Sequence, residues 1–242
     1  MKIYEKSDKG LARAQNQDFC GSKVVEGKYA AALVCDGMGG MRGGDLASEI
    51  AAKAILAEFV DDLKIPHTDA EIKKIMVELV SRANSLIYSF SLEDPSLSGM
   101  GTTIVMALCV GQKVHIIHAG DSRAYLLSPS KISRLTKDHS FVQEMVDIGE
   151  LTAAEAEAHP KKNIITRALG VSKFIEFDYA NCKLTPDSAV LLCTDGLTNM
   201  AKDKEIFEVY EKYKPSELCA RLIDLANGHG GSDNITAVLV TL

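Results

Sequence analysis

The chain of 242 residues predicts an α+β fold, a four-layer α-β-β-α sandwich of two antiparallel sheets flanked by helix pairs. Runs such as Ala31–Cys35 and Val190–Cys193 are short and apolar at every position, as strands buried on both faces are. Strand block, helix pair, strand block, helix pair and final strand do not alternate as βαβ units do, so helices should pack outside two antiparallel sheets. Four apolar runs also stop at, or start from, an aspartate beside a glycine or small polar residue. These are Asp36, Asp121, Asp195 and Asp233, and they suggest strand ends meeting at one rim.

Taken in order, Lys2 to Val25 reads as two strands around a polar loop, GLARAQNQD, and Tyr29 to Cys35 as a third strand ending at Asp36. A helix is expected from Leu46 to Leu63, after the glycine cluster. A second carries Ile72, Ile75, Met76, Leu79, Val80, Ala83, Leu86, Ile87 and Phe90 at helical spacing, and Asp94-Pro95 ends the pair. Met100 to Val110, Val114 to Ala119 and Ala124 to Ser128 form a second β block, with turns at Gly111 and Gly120-Asp121. Two short helical segments follow around His139–Asp147 and Thr152–Ala158. Strands return at Phe174–Leu184 and Ala189–Thr194. Helices around Lys204–Tyr213 and Ser216–Asn227 precede a last strand, Ile235 to Leu242. With no repeat or linker, residues 1–242 read as one domain.

Composition is that of a soluble globular protein, 46% hydrophobic and 25% charged. Net charge is 27 − 33 = −6, which argues against a nucleic-acid partner. No apolar run reaches membrane-helix length and the N-terminus lacks a signal-peptide core. The six cysteines (Cys20, Cys35, Cys109, Cys182, Cys193, Cys219) show no CxxC spacing and read as buried, reduced thiols. A cytoplasmic monomer is expected.

A single Asp-Gly is usually a turn, so the weight falls on the four together. A carboxylate at the end of a buried strand is costly unless compensated. Oxygen-only donors select hard cations such as Mg²⁺ or Mn²⁺. Gly37, Gly39, Gly40, Gly43 and Gly44 exceed what a turn needs and suggest backbone close to a ligand.

The motifs RAQNQD (13–18), DGMGG (36–40), GTT (101–103), GDSR (120–123), TKDHS (136–140), TRALG (166–170), TDGL (194–197) and SDN (232–234) lie in order along the chain. In these the chain resembles the metal-dependent protein serine/threonine phosphatases of type 2C, in their compact bacterial form. The resemblance implies that Asp36 bridges two metals, with the Gly37 carbonyl in one shell. It implies that Asp195 and Asp233 hold the first ion, and that Asp18 hydrogen-bonds a water on the second. Asp121 with Asp195 would hold a third ion more loosely. Arg13 would grip the substrate phosphate, and residues from about 140 to 162 would form a flap over the cleft. Mn²⁺ or Mg²⁺ would be the cofactors, two bound tightly and a third loosely. The partners would be phosphoproteins, including a Ser/Thr kinase, with no nucleic acid and no membrane.

The chemistry suits these residues. Two divalent ions sharing a water lower its pKa toward neutrality, and aspartate supplies the oxygens they prefer. Arg13 offers a planar fork for two phosphate oxygens. Arg123 and Arg167 read as structural. Many eukaryotic relatives carry a histidine, proposed as the acid, two residues after the bridging aspartate; here Met38 stands there and cannot donate a proton. His139 reads as packing beneath the flap and His118 as a core histidine. A catalytically idle phosphoprotein-binding regulator and a two-metal hydrolase of small esters or nucleic acid are the other readings. The intact ligand set weighs against the first, and the negative charge against the nucleic-acid form of the second.

Overall fold

Period-two alternation within continuously apolar strands builds the layers of this protein. The computed structural model describes residues 1–25, 29–59 and 68–242, the side chains of Met41 and Arg42 excepted. Among the described residues the strands are β1 Lys2–Asp8, β2 Asp18–Val25, β3 Tyr29–Met38, β4 Gly101–Thr102, β5 Ile104–Val110, β6 Lys113–Ala119, β7 Arg123–Ser128, β8 Lys131–Arg134, β9 Asp178–Lys183, β10 Ala189–Cys193 and β11 Ile235–Thr241. The helices are α1 Gly40–Glu58, α2 Asp69–Glu93, α3 Phe141–Asp147, α4 Ala153–Ala158, α5 Asp195–Thr198, α6 Asp203–Lys212 and α7 Pro215–Gly228. One sheet runs β1-β11-β10-β7-β8; the other runs β2-β3-β5-β6-β9, with β4 paired to β3. Every recorded strand pair is antiparallel.

Ala30, Ala32 and Val34 of β3 face the other sheet, where they meet the cluster that includes Val190, Leu192, Val238 and Val240. Ala31, Leu33 and Cys35 point the other way, into a core with Ala47, Ile55, Met76 and Ile87 of α1 and α2. In the first sheet, Leu191 and Leu239 pack outward against Leu218, Leu222 and Ile206 of α7 and α6. Both sheets are therefore covered on both faces, and the four-layer expectation holds. Small alanines between the sheets let them approach closely. No helix among the described residues is long and apolar enough to cross a membrane.

Local boundaries differ from the expectation where backbone bonding overrides pattern. β3 continues to Met38 because Gly37 and Met38 pair with Thr102 and Gly101, so Asp36 lies inside a strand instead of at its end. α1 starts at Gly40, not Leu46; its glycines are its first turn, and a Cβ on Gly37 would sit 2.0 Å from the Gly44 carbonyl oxygen. The expected end of that helix, at Leu63, lies outside the described residues. The run from Met100 breaks at Thr103, whose N–H donates to the Asp36 carbonyl at 2.9 Å. The strand expected from Phe174 begins at Asp178. The four-residue β8 and α5 carry too little periodicity to be read from the chain.

All six cysteines are free, as expected, five in strands and Cys219 in α7, but Cys20 and Cys182 are half-buried where all six were expected to be buried. Asn84, buried in α2, accepts the Gly170 N–H at 2.8 Å and donates to the Ser172 and Lys173 carbonyls at 3.1 and 3.2 Å. It anchors the loop after Leu169, which in turn pairs with Thr102. Replacing Asn84 by alanine orphans these groups and should lower stability by about 1–3 kcal/mol. Urea unfolding checks this; an unchanged midpoint would show that the loop is anchored elsewhere.

Candidate metal centre and active site

Asp18 and Asp36 stand opposite one another in the β2–β3 ladder. That register alone puts two carboxylates side by side at the edge of one sheet. The other sheet supplies two more: Asp195, which opens α5 two residues after β10 ends at Cys193, and Asp233 just before β11. Asp121 comes from the turn joining β6 of the second sheet to β7 of the first. The structure therefore brings together all five aspartates expected from the sequence, and their charges act on one another. Burial first, then the charges of Asp18, Asp195, Asp121 and Asp233, pushes the Asp36 carboxyl well above its ordinary range. Burial and the charge of Asp195 raise Asp121 to about 8.

Asp18 is the most enclosed of the five, 7% exposed. Its Oδ2 accepts hydroxyl hydrogens from Thr194 at 2.8 Å and Thr236 at 2.7 Å, while its buried Oδ1 has no partner. Burial raises it to about 7 even though the two hydroxyls pull the other way. Asp195 repeats the arrangement: Asn199 Nδ2 donates to Oδ2 at 2.9 Å, and the buried Oδ1 is unpartnered. Burial and the charge of Asp233 raise its pKa, while a hydrogen bond with the Asp36 carboxyl lowers it. A buried carboxylate oxygen with no donor costs about 1–3 kcal/mol or more. Two of them facing like charges form an anionic, oxygen-only donor set that a hard cation fits.

The backbone is held as firmly as the side chains. Thr102 Oγ1 donates to the Asp36 carbonyl and Thr103 Oγ1 accepts the Asp36 N–H, both at 2.9 Å. Thr103 Oγ1 also shares a hydrogen bond with Ser122 Oγ at 2.7 Å, tying the Asp121 turn to β3. Gly37 donates its N–H to the Gln17 carbonyl at 3.1 Å. Asn234 accepts the Gln17 N–H at 2.8 Å and donates to the Lys9 and Gln15 carbonyls, both at 2.9 Å. It pins the loop that carries Arg13. Thr194, Thr236, Ser122 and Asn234 were not singled out from the sequence. For Thr194, Ser122 and Asn234 the signal was their place in TDGL, GDSR and SDN, and Thr236 follows two residues after SDN, but a hydroxyl or amide at a strand end has no pattern until its partner is known.

Arg13 is half exposed at the rim, with Nη2 2.7 Å from Asp233 Oδ2. Arg123 pairs with Asp138 at 2.7 Å and Arg167 with Asp178 at 3.1 Å, as structural arginines would. His118, His139 and Asp178 bring three ligand-type atoms within 4.8 Å of each other. The two rings, however, stack in parallel, with centroids 4.6 Å apart and planes at 7°. Ring lone pairs lie in the ring plane, so one ion cannot reach both at bonding distance. His118 Nε2 donates instead to the Lys137 carbonyl at 2.8 Å. Burial lowers both pKa values, keeping the rings neutral. The sequence reading had each of them packed, His139 beneath the flap and His118 in the core; that they stack on one another is added by the structure.

The protein phosphatase 2C family model matches residues 12–239. The serine/threonine phosphatase stp of Listeria innocua is 38% identical over 236 residues, 97% of this chain and 93% of that protein. The protein phosphatase PhpP of Streptococcus pneumoniae is 35% identical over 243 residues, covering 100% of this chain and 98% of its own. Among solved structures, serine/threonine phosphatase Stp1 from Staphylococcus aureus superposes with a TM-score of 0.93 at 31% identity, covering all of this chain and 94% of that one. The catalytic domain of PstP, solved in complex with two manganese ions, gives 0.84 at 35% identity, over 98% and 96% of the two chains. With the match running nearly end to end and the acidic strand ends brought together by the fold, the chain belongs to the protein phosphatase 2C family of serine/threonine phosphatases.

Proposed function

We propose that residues 1–242 form one catalytic domain that hydrolyses phosphoserine and phosphothreonine in proteins using divalent cations, Mn²⁺ or Mg²⁺, held among its aspartates. The observation that carries this is the pair of buried, unpartnered oxygens, Asp18 Oδ1 and Asp195 Oδ1, within a cluster of mutually repelling carboxylates. Asp36, the Gly37 carbonyl, Asp195 and Asp233 would hold two ions, with Asp18 acting on one of them through water, and Asp121 with Asp195 would hold a third more loosely. Such ions, when bound, neutralise the carboxylates and supply hydroxide near pH 7. That the catalytic domain of PstP was solved with two manganese ions supports divalent-cation binding here by likeness.

The chain's own residues do the rest. Arg13 leaves Asp233 to pair with the substrate phosphate, so its guanidinium serves a carboxylate before substrate arrives and a phosphate after. The Thr102, Thr103 and Ser122 hydroxyls hold Asp36 and Asp121 in place, which spares reorganisation during turnover. Met38 Sδ cannot protonate the departing alkoxide, so the proton comes from water in the cleft. Residues 140–162 act as a flap over that cleft. Phosphoserine and phosphothreonine are made by kinases, so the reaction opposes a Ser/Thr kinase; we place the domain in the cytoplasm and as a monomer.

Three outcomes follow from these assignments. Chelator should abolish p-nitrophenyl phosphate hydrolysis, Mn²⁺ should restore it, and Asp36→Asn should remove nearly all turnover; full activity in excess EDTA would refute the metal reading. Arg13→Ala should lower kcat/KM by on the order of 10²-fold with Mn²⁺ binding retained, as followed by equilibrium dialysis; lost Mn²⁺ binding would refute its role. The third concerns pH. In the metal-free protein, Asp18 and Asp121 keep their protons up to about 7 and about 8, whereas unfolded aspartate releases its proton near 3.8. The folded state then binds more protons between those values, so metal-free stability falls as pH rises from 5 to 8. Thermal melts in EDTA across that range should show a falling Tm, with Mn²⁺ raising Tm most at the alkaline end. A flat or rising Tm would contradict the raised carboxyls.

A further inference from the structure

His139 is buried, touches none of the five aspartates in any recorded bond, and yet grips the turn that carries one of them. Its backbone N–H donates to the Gly120 carbonyl at 2.9 Å. Its ring Nδ1 accepts the Gly120 N–H at 3.2 Å. One residue thus holds both polar groups of Gly120. A ring nitrogen that accepts cannot carry the proton, so the neutral ring has its hydrogen on Nε2, which lies 3.3 Å from Asp178 Oδ2 and 3.2 Å from Arg167 Nη1. The stack on His118 fixes the ring plane. Next to it, Asp138 grips Arg123, two residues beyond Asp121, at 2.7 Å.

Gly120 itself cannot be held by a simpler device. Its φ is +110°, and a Cβ there would lie 2.6 Å from Thr103 Cγ2. The turn is therefore clamped at Gly120 by His139 and at Ser122 by Thr103, with Asp121 between the two clamps. The base of the 140–162 segment closes on the same residue: the Thr166 N–H donates to the His139 carbonyl at 2.9 Å, and Ser140 bridges to Ile165. We infer that His139 is a positioning residue which, through Gly120, aims the Asp121 carboxylate at the loosely held ion and ties that ion site to the base of the flap. This rests on the metal assignment above, and the test separates the two.

The test compares the wild type with His139→Phe, which keeps a flat ring on His118 but removes the acceptor, and His139→Asn, which puts an acceptor oxygen near the Nδ1 position. Mn²⁺ binding is followed by equilibrium dialysis, turnover on a phosphopeptide as a function of Mn²⁺, and amide exchange at Gly120 and Asp121 by NMR. His139→Phe should weaken the weakest Mn²⁺ association by on the order of 10-fold, the low end of what losing an outer-shell partner costs. The tighter association should be unchanged, kcat should recover at high Mn²⁺ without a change in peptide KM, and the Gly120 amide should exchange faster. His139→Asn should restore most of this. A His139→Phe isotherm that overlays the wild type, or a His139→Asn no better than His139→Phe, would overturn the inference. If the wild type bound no Mn²⁺, the metal assignment would fall, and Gly120 exchange would still decide on His139: faster in His139→Phe supports the clamp, equal rates refute it. Should His139→Phe not melt cooperatively, His139→Gln, with the acceptor moved out by a methylene, takes its place in every comparison.

Discussion

Mutual repulsion among buried carboxylates is the constraint on which this molecule turns. Asp18, Asp36, Asp121 and Asp195 are all raised above the ordinary aspartate range by burial and by each other. Such a cluster opposes folding wherever its members ionise. It persists because the hydrophobic layer on the outer side of each sheet and the one between the sheets supply the stability that it consumes. Within the protein the strain is lessened by hydrogen bonds, the Thr194 and Thr236 hydroxyls with Asp18 and the Asn199 amide with Asp195. Arg13 does the same for Asp233 from the rim.

Around that cluster the fold uses small hydroxyl residues where a larger side chain could not fit. Thr102, Thr103, Thr194, Thr236 and Ser122 each sit at a strand end or turn and bond either an aspartate carboxyl, its backbone or a neighbouring hydroxyl. Hydroxyls can donate or accept as needed, so the shell stays satisfied whether a given carboxyl is protonated or ionised. Close backbone approach completes the packing. Gly196 and Gly37 lie so near the carbonyls of Asn234 and Gly44 that a Cβ would fall within 2.0 Å of each.

Met38 changes the chemistry without disturbing this frame. It shares a face of β3 with Asp36, two residues earlier, because side chains alternate along a strand. It therefore leaves β3 on the same face as Asp36, at the position where a histidine stands in many eukaryotic relatives, with its terminal methyl packed beside Gly101. The stacked pair His118 and His139 does not replace that acid: both rings are neutral, buried, and committed to backbone partners at Lys137 and Gly120.

Much of the fold could be read along the chain because strands buried on both faces leave uninterrupted apolar runs, and the paired helices keep their 3.6-residue stripe. Asp36, Asp121, Asp195 and Asp233 were legible as a set, since four charges abutting such runs exceed what separate turns need, whereas Asp18 stood out only through the family resemblance. Boundaries failed where glycine-rich backbone bonds to a distant strand: α1 began six residues early, and β3 ran past Asp36 into its pairing with β4. Composition and order thus determined the layers and the identity of the acidic groups. Tertiary structure alone decided which oxygens lack partners, that Arg13 rests on Asp233, and that Thr194, Thr236, Asn234 and His139 hold the frame. Those contacts join residues up to 225 positions apart, and a hydrogen bond between distant segments leaves no local period in the sequence that forms it.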